Sequence, residues 1–242
     1  MIDPFVVGEG APVTWFLGGL AQTVPDLRVF GSGVSGTRVF QPISGCRAVD
    51  VLSQLSARRA VAVPDQAVGI SFGGAALLTL AAADPGSLRR IVVALPSVDT
   101  GPRSVASRQV VDDLAAALES RDQNNITRAL VALQPRAVRD KLPVKMWTRR
   151  QADAVSGLGL APLLADLDAV APPTEAALRA LAVPVLVLAQ RDDPVHPVTV
   201  AERLATLLPD AQLVVSDEPW VWSARDRLRE VVTSFLAAPV TG

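Results

Sequence analysis

Residues 66–83 read QAVGISFGGAALLTLAAA. The first five form an apolar run of strand length, and the stretch from Phe72 to Ala83 is built of small and aliphatic residues at helical spacing. Between them lies the pattern Gly-x-Ser-x-Gly, from Gly69 to Gly73 with Ser71 at its centre. A sharp strand-to-helix turn of this kind pushes the serine Oγ out at the top of a sheet. Glycines are needed on both sides because the turn is strained and crowded. The helix N-terminus beneath Ser71 offers the positive end of a dipole and free N–H groups where an oxyanion would develop. The plain alternative is an ordinary βα turn.

Working outward, short apolar runs recur at Val13 to Leu17, Thr37 to Phe40, Arg90 to Leu95, Val183 to Ala189 and Gln212 to Val215, each bounded by Gly, Pro or polar residues. Runs of this length suit strands buried on both faces. Helical stripes follow at Pro197 to Leu208 and at Ser223 to Ala237. Alternating strand and helix predicts an α/β fold with a mainly parallel sheet flanked by helices. From about Gly101 to Leu181 the alternation stops. Val110, Val111, Leu114 and Leu118, then Ile126, Leu130 and Leu133, then Leu160, Leu163, Leu164, Leu167 and Val170 keep helical spacing, and Pro172 and Pro173 close the stretch. The expected organisation is a core of residues 1–100 and 182–242 with a helical lid, residues 101–181, inserted between two late strands.

Composition narrows the function. With 23 basic against 24 acidic residues, the chain has no overall field to draw nucleic acid or an anionic membrane. Cys46 is the only cysteine and His196 the only histidine, which rules out an internal disulfide and leaves too few ligands for a Cys/His zinc site. A carboxylate-only Mg²⁺ site stays open. Met1 to Gly10 lacks the basic and apolar regions of a signal peptide, and no window reaches the roughly 18 apolar residues of a membrane span. The cytoplasm is the expected location. Gly31, Gly33 and Gly36 satisfy G-x-G-x-x-G, but they precede a strand and not a helix, so they read as a loop and no nicotinamide cofactor is expected.

The elbow at Ser71, the helical insertion and the late strand followed by Arg191, Asp192, Asp193, Pro194 and Val195 fall in the order of the α/β-hydrolase superfamily, which the chain resembles over nearly its whole length. The resemblance implies Asp193 as triad acid. Gly18, Gly19 and Leu20 stand where the family usually has His-Gly-X, which implies an oxyanion hole from the N–H groups of Leu20 and Phe72, with Gly19 beside the substrate. It implies no cofactor. Packing and capping roles are the plain alternatives for Leu20 and Asp193.

The family's histidine follows the last strand, and here that segment is Ser216, Asp217, Glu218, Pro219, Trp220, Val221, Trp222. The triad histidine is thus missing from its place, and Trp220 is expected to fill the vacated position. Serine needs an adjacent base, and loss of the histidine in a serine hydrolase costs on the order of 10⁶ in kcat. His196, three residues after Asp193 in the same turn, is a candidate base, but reaching Ser71 while keeping Asp193 behind it looks geometrically awkward; contact with substrate or a helix-start role are its alternatives. Asp217 and Glu218 are further candidates, with solvated loop charges as their plain reading.

Three functions stay open. One is an enzyme acting on a hydrophobic small-molecule carbonyl, ester or thioester by a histidine-free lyase, dehydration or cyclisation step in small-molecule biosynthesis, using the Ser71 pocket and oxyanion hole. The second is a catalytically dead homologue that binds a ligand or a protein. The third is an ordinary esterase or thioesterase using His196. Met146 and Trp147 are expected to face the pocket from the lid. Arg136, Arg139, Lys141, Lys145, Arg149 and Arg150, set against Asp140, read as a solvated face or as a dock for a CoA-like or carrier-linked substrate. Cys46 reads as a small packing residue, since no placed histidine would activate it.

Overall fold

The computed structural model describes residues 3–43, 47–61, 63–169 and 173–239. Its strands are β1 (Phe5–Val7), β2 (Val13–Leu17), β3 (Thr37–Gln41), β4 (Gln66–Ile70), β5 (Arg90–Ala94), β6 (Val185–Gln190) and β7 (Ala211–Ser216). The helices are α1 (Val24–Phe30), α2 (Ala48–Val61), α3 (Phe72–Ala83), α4 (Val105–Ser120), α5 (Gln123–Ala132), α6 (Leu142–Ser156), α7 (Ala161–Ala165), α8 (Glu175–Arg179), α9 (Val198–Leu207) and α10 (Arg225–Ala237). The strands make one sheet in the order β1-β3-β2-β4-β5-β6-β7, parallel except where β1 pairs antiparallel with β3. This is the α/β-hydrolase fold.

Every residue of β4, β5 and β6 is buried, which is why these segments read as unbroken apolar runs. Alternate side chains enter opposite cores, as the two-residue period of a strand requires. Trp15, Leu17, Ala67, Ile91, Val93, Val185 and Val187 meet α2, α3 and α9 on one face. Phe16, Val68, Ile70, Val92, Leu186 and Leu188 meet α1 and α10 on the other, where Phe16 stacks on Phe40 with ring centroids 4.8 Å apart. Helix α3 is apolar all round because nearly all of it is enclosed.

The chain runs from β2 outward to β3 and then back to β4 on the other side of β2. That reversal opens a crevice at the carboxyl ends of β2 and β4, and the register Leu17 to Gly69 brings the loops leaving both strands together there. Between β5 and β6, α4 to α8 occur with no strand among the described residues. Three elements were not legible in the apolar runs: the three-residue edge strand β1, and helices α1 and α2. Pro173 immediately precedes Thr174, which caps α8, whereas Cys46, Val170 and Pro172 lie outside the described residues.

Close packing of α3 on β2 makes Gly73 irreplaceable. A Cβ there would lie 2.4 Å from the Leu17 carbonyl oxygen and 2.6 Å from that of Gly18. Gly73→Ala is expected to destabilise the fold by about 1–3 kcal/mol in urea unfolding. Gly157→Ala is the control, because its Cβ would meet nothing nearer than 3.7 Å and its φ of −90° suits alanine; its stability should be unchanged or slightly raised.

Candidate active site

Ser71 sits at φ 52° and ψ −116°, a backbone conformation that L residues adopt only when their surroundings impose it. Here the surroundings do so. Its N–H donates to the Ala94 carbonyl at 2.8 Å, its carbonyl accepts from Gly74 N at 2.9 Å, and a Cβ on Gly69 would lie 2.6 Å from the Gly73 carbonyl oxygen. Of the five non-glycine residues with positive φ among those described, Ala21, Ser71, Leu95 and Asp192 follow β2, β4, β5 and β6. Backbone strain is thus concentrated where the sheet meets the crevice.

The loop after β2 packs directly on this turn, since a Cβ on Gly19 would be 3.0 Å from that of Ser71. Gly19 N–H donates to the Gln22 side-chain oxygen at 2.7 Å. Leu20 N–H and Phe72 N–H have no hydrogen-bond partner among the described residues, and Phe72 is the first residue of α3. Free donors beside a serine are what an oxyanion needs.

The region after β6 corrects two expectations. His196 does reach Ser71: its Nε2 is 2.9 Å from Ser71 Oγ, and its Nδ1 is 3.0 Å from Asp193 Oδ1. The turn makes this possible by wrapping around the carboxylate. Asp193 Oδ1 also accepts from the N–H groups of Val195 at 2.9 Å and His196 at 3.0 Å, which folds the third residue back over the first. Because a carboxylate only accepts, Nδ1 carries the proton toward Asp193 and Nε2 is left to accept from the Ser71 hydroxyl. Trp220 does not fill a gap between them. It is fully buried in the core against α1 and α10, donates its indole N–H to the Ala189 carbonyl at 2.7 Å, and does not line the cavity.

Asp193 is 2% exposed at its side chain. Burial works to raise its pKa, but the His196 charge, the hydrogen bond from His196 and those from Val195 and Gln190 together outweigh burial, and the net shift is downward. Asp217 pairs outward with Arg191 at 2.8 Å, and neither Asp217 nor Glu218 lines the cavity.

A cavity of about 170 Å³ opens over Ser71 and His196. Leu95, Leu130, Leu133, Trp147 and Trp222 supply apolar wall, and Gly19 and Leu20 line it from the loop after β2. The segment between β5 and β6 contributes Leu130, Leu133 and Trp147 to this wall. Trp147 donates its indole N–H to Asp26 Oδ1 at 2.8 Å, Trp222 donates its own to Gln134 Oε1 at 3.0 Å, and the two rings meet edge to face at 5.6 Å. Met146, expected beside Trp147, is 61% exposed and absent from the wall, because neighbours on a helix point about 100° apart. A larger hollow of about 610 Å³, bordered by Pro12, Gly33, Asp65, Arg89 and Pro239, lies at the opposite ends of the strands and holds neither Ser71 nor His196. The cationic cluster on the insertion is partly structural. Arg139 donates to the Ala132 and Gln134 carbonyls at the end of α5, and Lys145 pairs with Asp140 at 3.3 Å. No group of three or more His, Cys, Asp or Glu side chains that could hold a metal occurs among the described residues.

No protein-family model and no curated protein matches the sequence. Solved structures do match the fold. An esterase from Exiguobacterium antarcticum superposes with a TM-score of 0.78 at 16% identity, covering 97% of this chain and 95% of that one. A bromoperoxidase from Bacillus anthracis gives 0.79 at 13%, covering 97% and 95%. A meta-cleavage product hydrolase from Pseudomonas fluorescens gives 0.76 at 19%, covering 96% and 93%.

A depressed carboxyl pKa fixes the sign of a pH effect. The stabilisation from ionised Asp193 is fully present above the ordinary aspartate value of about 3.9 and is lost as pH falls through the lower native value. The difference in urea-unfolding stability between wild type and Asp193→Asn should therefore shrink as pH falls below about 4. A difference that grows with acidification below that pH would contradict the assignment.

Proposed function

We propose that the chain is a serine hydrolase of small esters or thioesters, with Ser71 as nucleophile, His196 as general base and acid, and Asp193 as the group that orients and balances the imidazole. The observation that carries this reading is the unbroken line from Asp193 Oδ1 through His196 to Ser71 Oγ, with both contacts at 3.0 Å or less. The histidine-free and dead-homologue readings both start from an absent base, and the contact of His196 with Ser71 supports the conventional reading over them.

In the first half-reaction Ser71 Oγ attacks the carbonyl carbon while its proton passes to His196 Nε2. The carbonyl oxygen becomes an oxyanion held by the N–H groups of Phe72 and Leu20. Collapse breaks the carbonyl carbon's bond to the leaving oxygen or sulfur, which takes the proton from Nε2, leaving an acyl-serine. Water then repeats the sequence: its proton goes to Nε2, its oxygen bonds the acyl carbon, and Ser71 leaves with the proton returned. Asp193 stays a carboxylate throughout and stabilises the imidazolium that forms twice in the cycle.

Substrate size follows from the cavity. At about 170 Å³ it is smaller than the roughly 300 Å³ at which drug-sized sites begin, and its apolar wall suits a short acyl group. The insertion acts as a lid in this reading, with the Trp147 and Trp222 pair closing the side away from the strands.

Wild-type protein is expected to turn over p-nitrophenyl acetate or butyrate at about 1 s⁻¹ or faster, the ordinary enzyme range. Octanoate should be much slower. Ser71→Ala and His196→Ala should each lower kcat/KM by about 10³-fold or more, and a fluorophosphonate probe should label Ser71 in wild type but hardly in His196→Ala. Turnover that survives His196→Ala would return the histidine-free reading to first place.

A further inference from the structure

Sequence reasoning did not single out Gln190, the polar residue that ends the apolar strand β6. It is only 3% exposed. Its Nε2 lies 2.6 Å from Asp193 Oδ2, and its Oε1 lies 2.8 Å from the backbone nitrogen of Trp220. The orientation of the amide is not arbitrary, because a backbone N–H can only donate and a carboxylate can only accept. Trp220 is itself fixed by its indole bond to Ala189 and by complete burial.

We propose that Gln190 is a positioning residue for the acid–base pair, an inference that rests on the hydrolytic reading of the site. Asp193 Oδ1 is committed to the turn and to His196, whereas Oδ2 has Gln190 as its donor among the described residues. Without that donor a buried carboxylate oxygen is left unsatisfied, and the side chain gains a reason to rotate away from His196. Gln190 thus holds the carboxylate plane, and through it the tilt of the imidazole toward Ser71. The loop after β7, which carries no base here, acts on the site through Trp220 N–H and this amide. Few charges compete at Asp193. His196 shares its turn, Arg191 pairs outward with Asp217, Asp192 is exposed, and Asp26 and Arg225 line the same cavity.

The alternative is that Gln190 merely satisfies Trp220 N–H. Two variants and one spectroscopic signal separate the two roles. Gln190→Met keeps the volume and removes both hydrogen bonds. It should lower kcat by about 10- to 100-fold with KM within about twofold, as small misplacements of catalytic groups do. Gln190→Glu sets a second carboxyl against Asp193 at a separation where both cannot ionise. It should retain kcat while the introduced carboxyl holds its proton and lose it as pH rises, a descending limb that wild type lacks. His196 is the only histidine in the chain, so its Nδ1 proton gives one unambiguous downfield NMR resonance. That resonance should shift or broaden in Gln190→Met. Wild-type kcat, pH profile and resonance in both variants, with only a lower Tm, would overturn the proposal. If Gln190→Met fails to fold, the pH profile of Gln190→Glu decides alone. Turnover surviving in His196→Ala would defeat the hydrolytic reading, and the resonance would still report whether Gln190 orients His196.

Discussion

Backbone meets backbone at the top of this sheet with no room for a β-carbon, and the site depends on that closeness. Gly69 lies against Gly73, Gly73 against the carbonyls of Leu17 and Gly18, and Gly19 against Ser71. The connections after β2 and β4 are thereby locked at contact distance, and Ser71 is held in a conformation it would abandon in isolation. The cost of that strain is met by the surrounding core, where β4 and α3 are buried along nearly their whole length. One consequence is that two N–H groups near Ser71 have no partner among the described residues: Phe72 N–H begins a helix, and Leu20 N–H belongs to a loop whose neighbouring donor, Gly19, is already occupied by Gln22.

The second half of the site is local in a different sense. Asp193 and His196 stand three residues apart, with Pro194 between them and Pro197 just after, and the carboxylate collects two backbone amides as well as the imidazole. Relative geometry that would otherwise depend on two distant loops is set within one turn. The turn is also tied to the insertion, because the buried Ser107 hydroxyl donates to the Val195 carbonyl at 2.9 Å and Arg103 donates to Ser107 in turn. Burial, with the neighbouring Arg108 charge, lowers the pKa of Arg103 to about 10.

Much of this was legible in the residues themselves. The central strands β4, β5 and β6 announced themselves as apolar runs because they are covered on both faces, and the Ser71 elbow because its glycines are sterically compelled. Helix α2 was also legible in principle, since Ala48, Val51 and Leu55 keep helical spacing and are fully buried, but its charged residues obscured the stripe. Helix α1 hid behind a short loop, although Thr23 and Asp26 form a reciprocal capping box at its start. His196 is legible as a candidate base but its reach is not, because spacing along a chain says nothing of a turn that wraps around its own carboxylate. Gln190 and the contacts of Asp26 and Gln134 depend on pairings across long sequence separations, which no local pattern encodes.

Placing the acid and the base on one short connection has a modular consequence. In the proposed mechanism residues 185–207, a strand, a turn and a helix, contain the whole proton-handling half of the site as a contiguous cassette. The connection after β7 then has no proton to carry, yet Val221, Trp222 and Arg225 still stand in the cavity wall. Its side chains are available to reshape what the cavity accepts while Trp220 keeps its backbone anchored. In the proposed hydrolysis the connection after β7 thus contributes cavity wall and, through Trp220 N–H, support for Gln190, but no proton.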